Sequence, residues 1–195
     1  MNPISSFFFV LLLTLWPYQI LATTTATTAT TTTKATAAPK SSDLIAKTCG
    51  LTMYQDLCKA SLYSIPNSNQ ADSRGLAGFT LKLALRNATK ISKVITKLLH
   101  KRLDPVTKKC LIDCSENYIG AIHQIKNSIA ALDYKGYYDA NTWVSAAMTF
   151  ATSCEDGFGE QGVPESPVKA KLTTFFQLCE NALAIINNLG GIVTS

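Results

Sequence analysis

Apolar residues recur at steps of four and three through most of this chain, and that spacing confines it to packed helices. Ala77, Leu81, Ala84, Ala88, Ile91, Ile95 and Leu98 form one stripe, which a 3.6-residue repeat places on a single face. Asp72 is a candidate N-cap for this segment, and Asp104-Pro105 ends it. A second segment runs from about Val106 to Leu132, with Leu111, Cys114, Tyr118, Ile122, Ile125, Ile129 and Leu132 in register. It breaks over 133–136, where Gly136 suits a helix C-terminus. A third segment starts near Asp139, a candidate N-cap, and buries Trp143, Val144, Ala147, Phe150, Ala151 and Cys154. Gly157, Gly159, Gly162, Pro164 and Pro167 predict a loop after it. The last stripe is Leu172, Phe175, Phe176, Cys179, Leu183, Ile186 and Leu189, stopped by Gly190-Gly191. No segment alternates as a strand would. Four amphipathic helices on short connections predict an all-α, up-down-up-down four-helix bundle. Two shorter helical pieces over 43–48 and 54–63, closed off by Ile65-Pro66-Asn67, predict an N-terminal α-hairpin extension packed on that bundle.

Upstream of the periodic region the chain changes character. An apolar run from Phe7 to Leu15, extended by Trp16 to Ala22, reads as a signal peptide over 1–22, although it has no basic residue ahead of it. An N-terminal anchor helix is the alternative; the polar tract that follows carries no stop-transfer cluster of charge, so no stable membrane insertion is expected. Residues 23–42 are almost all Thr and Ala and offer nothing large and apolar to bury, which predicts a disordered linker. Residues 43–195 make one domain, long enough for a real core. Six cysteines behind a signal peptide indicate an oxidising, extracellular compartment. The net charge of +5 survives removal of residues 1–22, which carry no Lys, Arg, Asp or Glu, and suits an acidic partner.

The cysteines can be tested by height. If the break near Gly136 is the turn of a helical hairpin, Cys114 and Cys154 both lie roughly 30 Å from it along their helices. They can therefore meet, and a bridge would close a loop of about 40 residues, worth about 3–4 kcal/mol in the chain-entropy model. Cys49 and Cys58 flank a turn and could staple the N-terminal hairpin. Cys110 and Cys179 sit at different heights, roughly 18 Å apart along the axis. They are expected to be unpaired, buried small residues. No Cys-x-x-Cys pair occurs and His100 and His123 are not spaced with the cysteines, so no metal is expected.

Four other features bear on function. Arg86, Lys90, Lys93, Lys97 and Lys101 recur along one helix face; they suit an acidic cleft or a polyanion, or are simply solvated. Tyr134, Tyr137 and Tyr138 cluster with Gly136 at the turn, either as interface anchors or as a plug for the end of the bundle. Asn87-Ala88-Thr89 is a glycosylation sequon, with Asn87 beside the apolar stripe rather than in it. Glu155-Asp156 is a paired acidic step, yet adjacent helical residues point apart, and no nucleophile elbow or triad spacing is present. No catalytic residue, cofactor motif or nucleic-acid recognition motif is found.

Several separated motifs resemble one known family. Thr48-Cys49, Tyr54-Gln55-Asp56-Leu57-Cys58, Ala71-Asp72 and Gly75-Leu76-Ala77 resemble the N-terminal pattern of the plant invertase and pectin methylesterase inhibitors. Asp113-Cys114-Ser115-Glu116-Asn117-Tyr118 resembles the central motif of that family. The stretch Thr142 to Thr149, followed by Cys154-Glu155-Asp156-Gly157-Phe158, resembles its third motif, and Asn181 to Ile186 its last helix. The resemblance implies bridges Cys49–Cys58 and Cys114–Cys154. It also implies a monomeric secreted protein of the apoplast and cell wall that occludes an enzyme's cleft in a one-to-one complex. Some invertase inhibitors carry Pro-Lys-Phe near the second turn of the bundle; here the stretch is Tyr134-Lys135-Gly136-Tyr137-Tyr138-Asp139. Thr142-Trp143 is closer to the pectin methylesterase inhibitors, which points to a pectin methylesterase as target. The Gly75-Leu76-Ala77 and Cys154–Phe158 motifs also resemble invertase-inhibitor-like proteins, which keeps acid invertase, with a vacuolar location, as the alternative. A non-inhibitory secreted binding protein on the same scaffold is the third reading.

Overall fold

The computed structural model describes residues 41–163 and 165–192; the signal peptide and most of the linker lie outside them. Six α-helices follow one another: α1 (Ser41–Cys49), α2 (Gln55–Tyr63), α3 (Ser73–Leu99), α4 (Pro105–Asp133), α5 (Tyr137–Glu160) and α6 (Lys169–Gly190). A 3-10 turn at Ser68–Gln70 joins α2 to α3, and no strand occurs among the described residues. The first helix thus begins at Ser41, two residues inside the Thr/Ala-rich stretch assigned to the linker.

Local chemistry sets most helix ends. Asp72 caps α3, its carboxylate accepting from the Gly75 N–H at 2.7 Å. Asp104 does the same for α4, accepting from the Thr107 N–H at 2.9 Å, with Pro105 in the first turn, where a missing N–H costs nothing. Three helices end by one device, a residue in the left-handed region followed by a hydrogen bond back across six residues. Gly191 (φ 62) stops α6, with Ile192 N–H donating to the Asn187 carbonyl at 2.9 Å. Gly162 (φ 70) stops α5, with Val163 N–H donating to the Phe158 carbonyl at 3.0 Å. At the end of α4 it is Lys135 (φ 60), not Gly136, that turns left-handed; Gly136 N–H donates to the Ala131 carbonyl at 2.9 Å.

Other sequence readings of helix ends are corrected as well. Asp139 lies in the first turn of α5, while Gly136 occupies its N-cap. Gly157 and Gly159 are inside α5 rather than in the loop. Phe158 between them is buried, and burying an aromatic outweighs the roughly 1 kcal/mol that each mid-helix glycine costs.

The bundle is a square. α3 packs on α4 and α6, and α5 packs on α4 and α6; across one diagonal the rings of Tyr118 on α4 and Phe175 on α6 meet edge-on, centroids 6.2 Å apart. Its core runs from Ala77 through Ile95 on α3, Leu111 through Leu132 on α4, Ala140 through Phe158 on α5 and Leu172 through Ile186 on α6. Trp143 is only half-buried, while Val144, Ala147 and Ala151 carry the buried face of α5. The α4–α5 seam is the most intimate, because small residues line it. Ala121, Ser128, Ala140, Ala147 and Ala151 are buried there, and a Cβ on Gly120 would come within 2.8 Å of the Phe150 ring. The Ser128 hydroxyl, with no exposed surface, donates across the seam to the Ala140 carbonyl at 2.9 Å.

Two disulfides fasten this frame. Cys114–Cys154 joins α4 to α5, with Cα atoms 4.6 Å apart, at the end of the seam far from the Tyr134–Tyr138 turn. Cys49–Cys58 closes the α1–α2 hairpin. Cys110 and Cys179 are free and buried, and the Cys110 thiol donates to the Gly157 carbonyl at 3.5 Å. The hairpin has a small core of its own, Ile45, Cys49, Cys58, Leu62 and Leu76, and packs against α3 and α6.

Candidate partner-binding surface

The Tyr134–Tyr138 corner is built without slack. The left-handed Lys135 closes α4, and Gly136 (φ −74, ψ 65) follows as an inverse γ-turn in which Tyr137 N–H donates to the Lys135 carbonyl at 2.9 Å. The Ala140 N–H then donates to the Gly136 carbonyl at 2.8 Å, which starts α5 at once. A side chain at 136 would run into the Tyr134 ring, so glycine is needed here for space rather than for φ.

The three tyrosines take different roles. Tyr137 is half-buried and packs on the core, its Cβ so close to Gly190 that a Cβ there would lie 2.9 Å away. It plugs the end of the bundle. Tyr134 is 64% exposed and Tyr138 75% exposed. The Tyr134 hydroxyl donates to the Asp139 carboxylate at 3.2 Å. Partial desolvation, that hydrogen bond and the Asp139 charge together raise the Tyr134 phenol above its ordinary value. Tyr138 has its ring free in solvent at the first turn of α5.

From Tyr138 a ridge of short side chains runs up the outer face of α5. Thr142, Ser145, Thr149, Thr152, Ser153 and Asp156 are all exposed. Four of these hydroxyls donate back to the carbonyl one turn below, Thr142 to Tyr138, Thr149 to Ser145, Thr152 to Met148 and Ser153 to Thr149, at 3.0–3.2 Å. A surface of this kind loses little when it is covered. Its donors keep their partners, and short side chains have little rotamer entropy to give up. On neighbouring α4, Ile112 and Ile119 stand exposed one above the other, at 44% and 54%. Their seven-residue spacing off the buried stripe is the signal by which the sequence could have revealed them; attention to the buried face alone missed them.

The other residues singled out in the sequence are scattered. The half-buried Asn87 lies in the groove between α3 and α6 with its Oδ1 buried and unpartnered, and Thr89 donates to the Leu85 carbonyl at 2.7 Å. Arg86, Lys90, Lys93 and Lys97 are exposed along α3, and Lys101 is exposed just past its end. Glu155 is half-buried and Asp156 exposed, so the acidic step does not converge. Among the described residues no group of His, Cys, Asp and Glu gathers to hold a metal, and no helix is long and apolar enough to cross a membrane. Burial, and then the Glu180 charge, push the Cys179 thiol far above its usual range, so it stays protonated and is no nucleophile. The fully buried Tyr118 phenol is raised likewise by burial, by the Glu155 charge and by Cys179, and its hydroxyl has no partner.

A square bundle pinned by one disulfide, with a second in the hairpin packed on it, presents an exposed tyrosine and a ridge of hydroxyls as a surface open to a partner. Residues 43–185 match the family described as plant invertase/pectin methylesterase inhibitor, and the chain belongs to that family. It is 35% identical to a pectinesterase inhibitor of Actinidia deliciosa over 76% of this chain and 80% of that protein. It is 34% identical to cell wall / vacuolar inhibitor of fructosidase 2 of Arabidopsis thaliana over 63% of this chain and 69% of that protein. Among solved structures, the fold resembles the crystal structure of a mutant form of a pectin methylesterase inhibitor from Arabidopsis. That match has a TM-score of 0.60 and 27% identity, covering 71% of this chain and 92% of that one.

Proposed function

We propose that this protein is a secreted inhibitor of a pectin methylesterase, acting in the apoplast and cell wall by covering the enzyme's cleft in a one-to-one complex. It does no chemistry of its own. The observation that carries this reading is Tyr138, three-quarters exposed at the foot of the hydroxyl ridge of α5 and beside a turn closed by backbone bonds from Gly136, Tyr137 and Ala140. An aromatic anchor on a fixed backbone binds without first losing conformational freedom. The ridge and the α4 isoleucines extend the contact toward the area a stable complex needs. Steric exclusion of a polymeric substrate then requires only that the complex outlive an encounter.

The choice of pectin methylesterase rests on the absence of Pro-Lys-Phe at this corner and on the likeness to solved pectin methylesterase inhibitors. The fructosidase inhibitor of similar identity supports a second reading, in which the same surface covers an acid invertase, with a vacuolar location open to it.

The test is a parallel assay of pectin de-esterification and sucrose hydrolysis with the purified protein. Inhibition of a pectin methylesterase is expected, weakened at least tenfold in Tyr138→Ala with Tm unchanged. Loss of invertase activity alone would move the assignment to the second reading. No complex with several isoforms of either enzyme at micromolar concentration would leave a non-inhibitory binding protein.

A further inference from the structure

Charge is segregated across the bundle. α3 carries six basic residues and no acidic one, while α5 carries four acidic residues and no basic one. The two helices occupy opposite corners of the square. The acid-free stretch runs the whole way from Asp72 to Asp104. On α3 the cations form a row: Arg86, Lys90, Lys93 and Lys97 are all exposed, and Lys101 continues it just past the helix end. From Arg86 to Lys97 the row is roughly 17 Å long. Among the described residues none of these five is paired with a carboxylate. A row of like charges repels itself, and such repulsion is relieved when an anion covers it.

The row borders a groove. Between α3 and α6, Lys90 faces Lys171 across Asn87, Ile91 and Thr174, and the groove continues past Arg86 and Leu83 to Ser61 and Ser64 beside α2.

We propose that this groove and its cationic edge bind a linear acidic polysaccharide, a polyuronate, whose carboxylates lie along the lysines. The shape favours a chain over a globular partner, since the charges are drawn out in one line. Most of them are lysines, point charges that neutralise without the bidentate fit that arginine gives to phosphate. No aromatic residue lines either part of the groove, so stacking of nucleic-acid bases has no platform. The site lies across the bundle from α5, so polymer and enzyme can be held together. The inference does not depend on which enzyme is inhibited.

Binding is read on the purified full chain, without enzyme, by anisotropy of labelled polygalacturonate between 50 and 200 mM NaCl, alongside fully methyl-esterified pectin and single-stranded DNA of similar length. Polygalacturonate is expected to bind, to weaken steeply with salt and to outcompete DNA, and the esterified polymer to bind at least tenfold more weakly. The variant K90Q/K93Q/K97Q/K171Q is expected to lose at least tenfold in binding while its Tm and its inhibition of the enzyme stay unchanged. Equal binding by the quadruple variant, equal binding of the esterified polymer, or tighter binding of DNA would each overturn the proposal. So would a glycan found by mass analysis at Asn87 of the plant-made protein, because it would fill the groove.

Discussion

The side-chain amide of Asn181 closes both backbone hydrogen-bonding groups of Tyr54. Its Oδ1 accepts from the Tyr54 N–H at 3.1 Å and its Nδ2 donates to the Tyr54 carbonyl at 3.0 Å. Asn181 is 0% exposed in α6, and Tyr54 is the residue from which α2 starts. One buried amide therefore fixes the residue from which α2 starts and latches the N-terminal hairpin to the bundle across 127 residues of sequence.

Asn181→Ala should destabilise the protein by about 2–4 kcal/mol, since two backbone groups lose their partners inside the protein. Asn181→Asp should cost at least as much, because it keeps the acceptor, removes the donor and buries a charge. Urea midpoints measure both, and hydrogen exchange should show loss of protection first in α1 and α2. A midpoint equal to that of the native chain would remove the latch from the account.

The two disulfides should differ in weight. Replacing Cys114 and Cys154 together by Ser or Ala opens a loop spanning 40 residues and should cost about 4 kcal/mol on the chain-entropy scale. Replacing Cys49 and Cys58 opens one spanning 9 and should cost about 2.5 kcal/mol. Equal losses in thermal unfolding would show that native packing, not loop length, sets the difference.

Acid should weaken the α4 cap. Hydrogen bonds from Thr107, the backbone N–H foremost, hold the Asp104 carboxyl below the usual 3.8. The unfolded chain binds this proton more readily than the folded one, so the cap's contribution is complete above 3.8 and is lost as pH falls through the lower folded value. Asp104→Asn keeps a capping oxygen without the charge. It should flatten this part of the stability–pH curve, measured by urea unfolding at a series of acidic pH values.

Adjacent positions at the corner should respond with opposite sign. Lys135 pays for its left-handed φ of 60, so Lys135→Gly should stabilise by up to about 1 kcal/mol. Gly136→Ala should displace the Tyr134 ring, break its bond to Asp139 and return the raised phenol toward its ordinary value. NMR titration of the tyrosine rings checks the second, and thermal unfolding the first.

Periodicity made the four bundle helices legible because their buried faces are long and apolar. The height of Cys114 and Cys154 above one turn likewise made their meeting legible before any coordinates. What periodicity does not carry is the solvent-facing side. Nothing in the spacing of Thr142, Thr149 and Thr152 announces that their hydroxyls bond back to their own helix. Asp139 looked like a cap because short acidic residues often are, yet α5 takes its N-cap three residues earlier, at Gly136. Gly157 and Gly159 read as a loop for want of the knowledge that Phe158 between them is buried. Asn181 sits on an apolar stripe, where only the tertiary structure reveals a partner 127 residues away.

The Cys114–Cys154 bridge and the Tyr134–Tyr138 turn lie at opposite ends of one pair of antiparallel helices, so the segment between the two cysteines is a covalent ring. A protease that cuts the exposed peptide after Lys135 opens the ring without separating its arms. The nicked protein keeps its mass on a non-reducing gel and falls into two pieces only when a thiol is added. Wherever the protein meets a peptidase, the exposed turn can be severed and the two arms still stay joined.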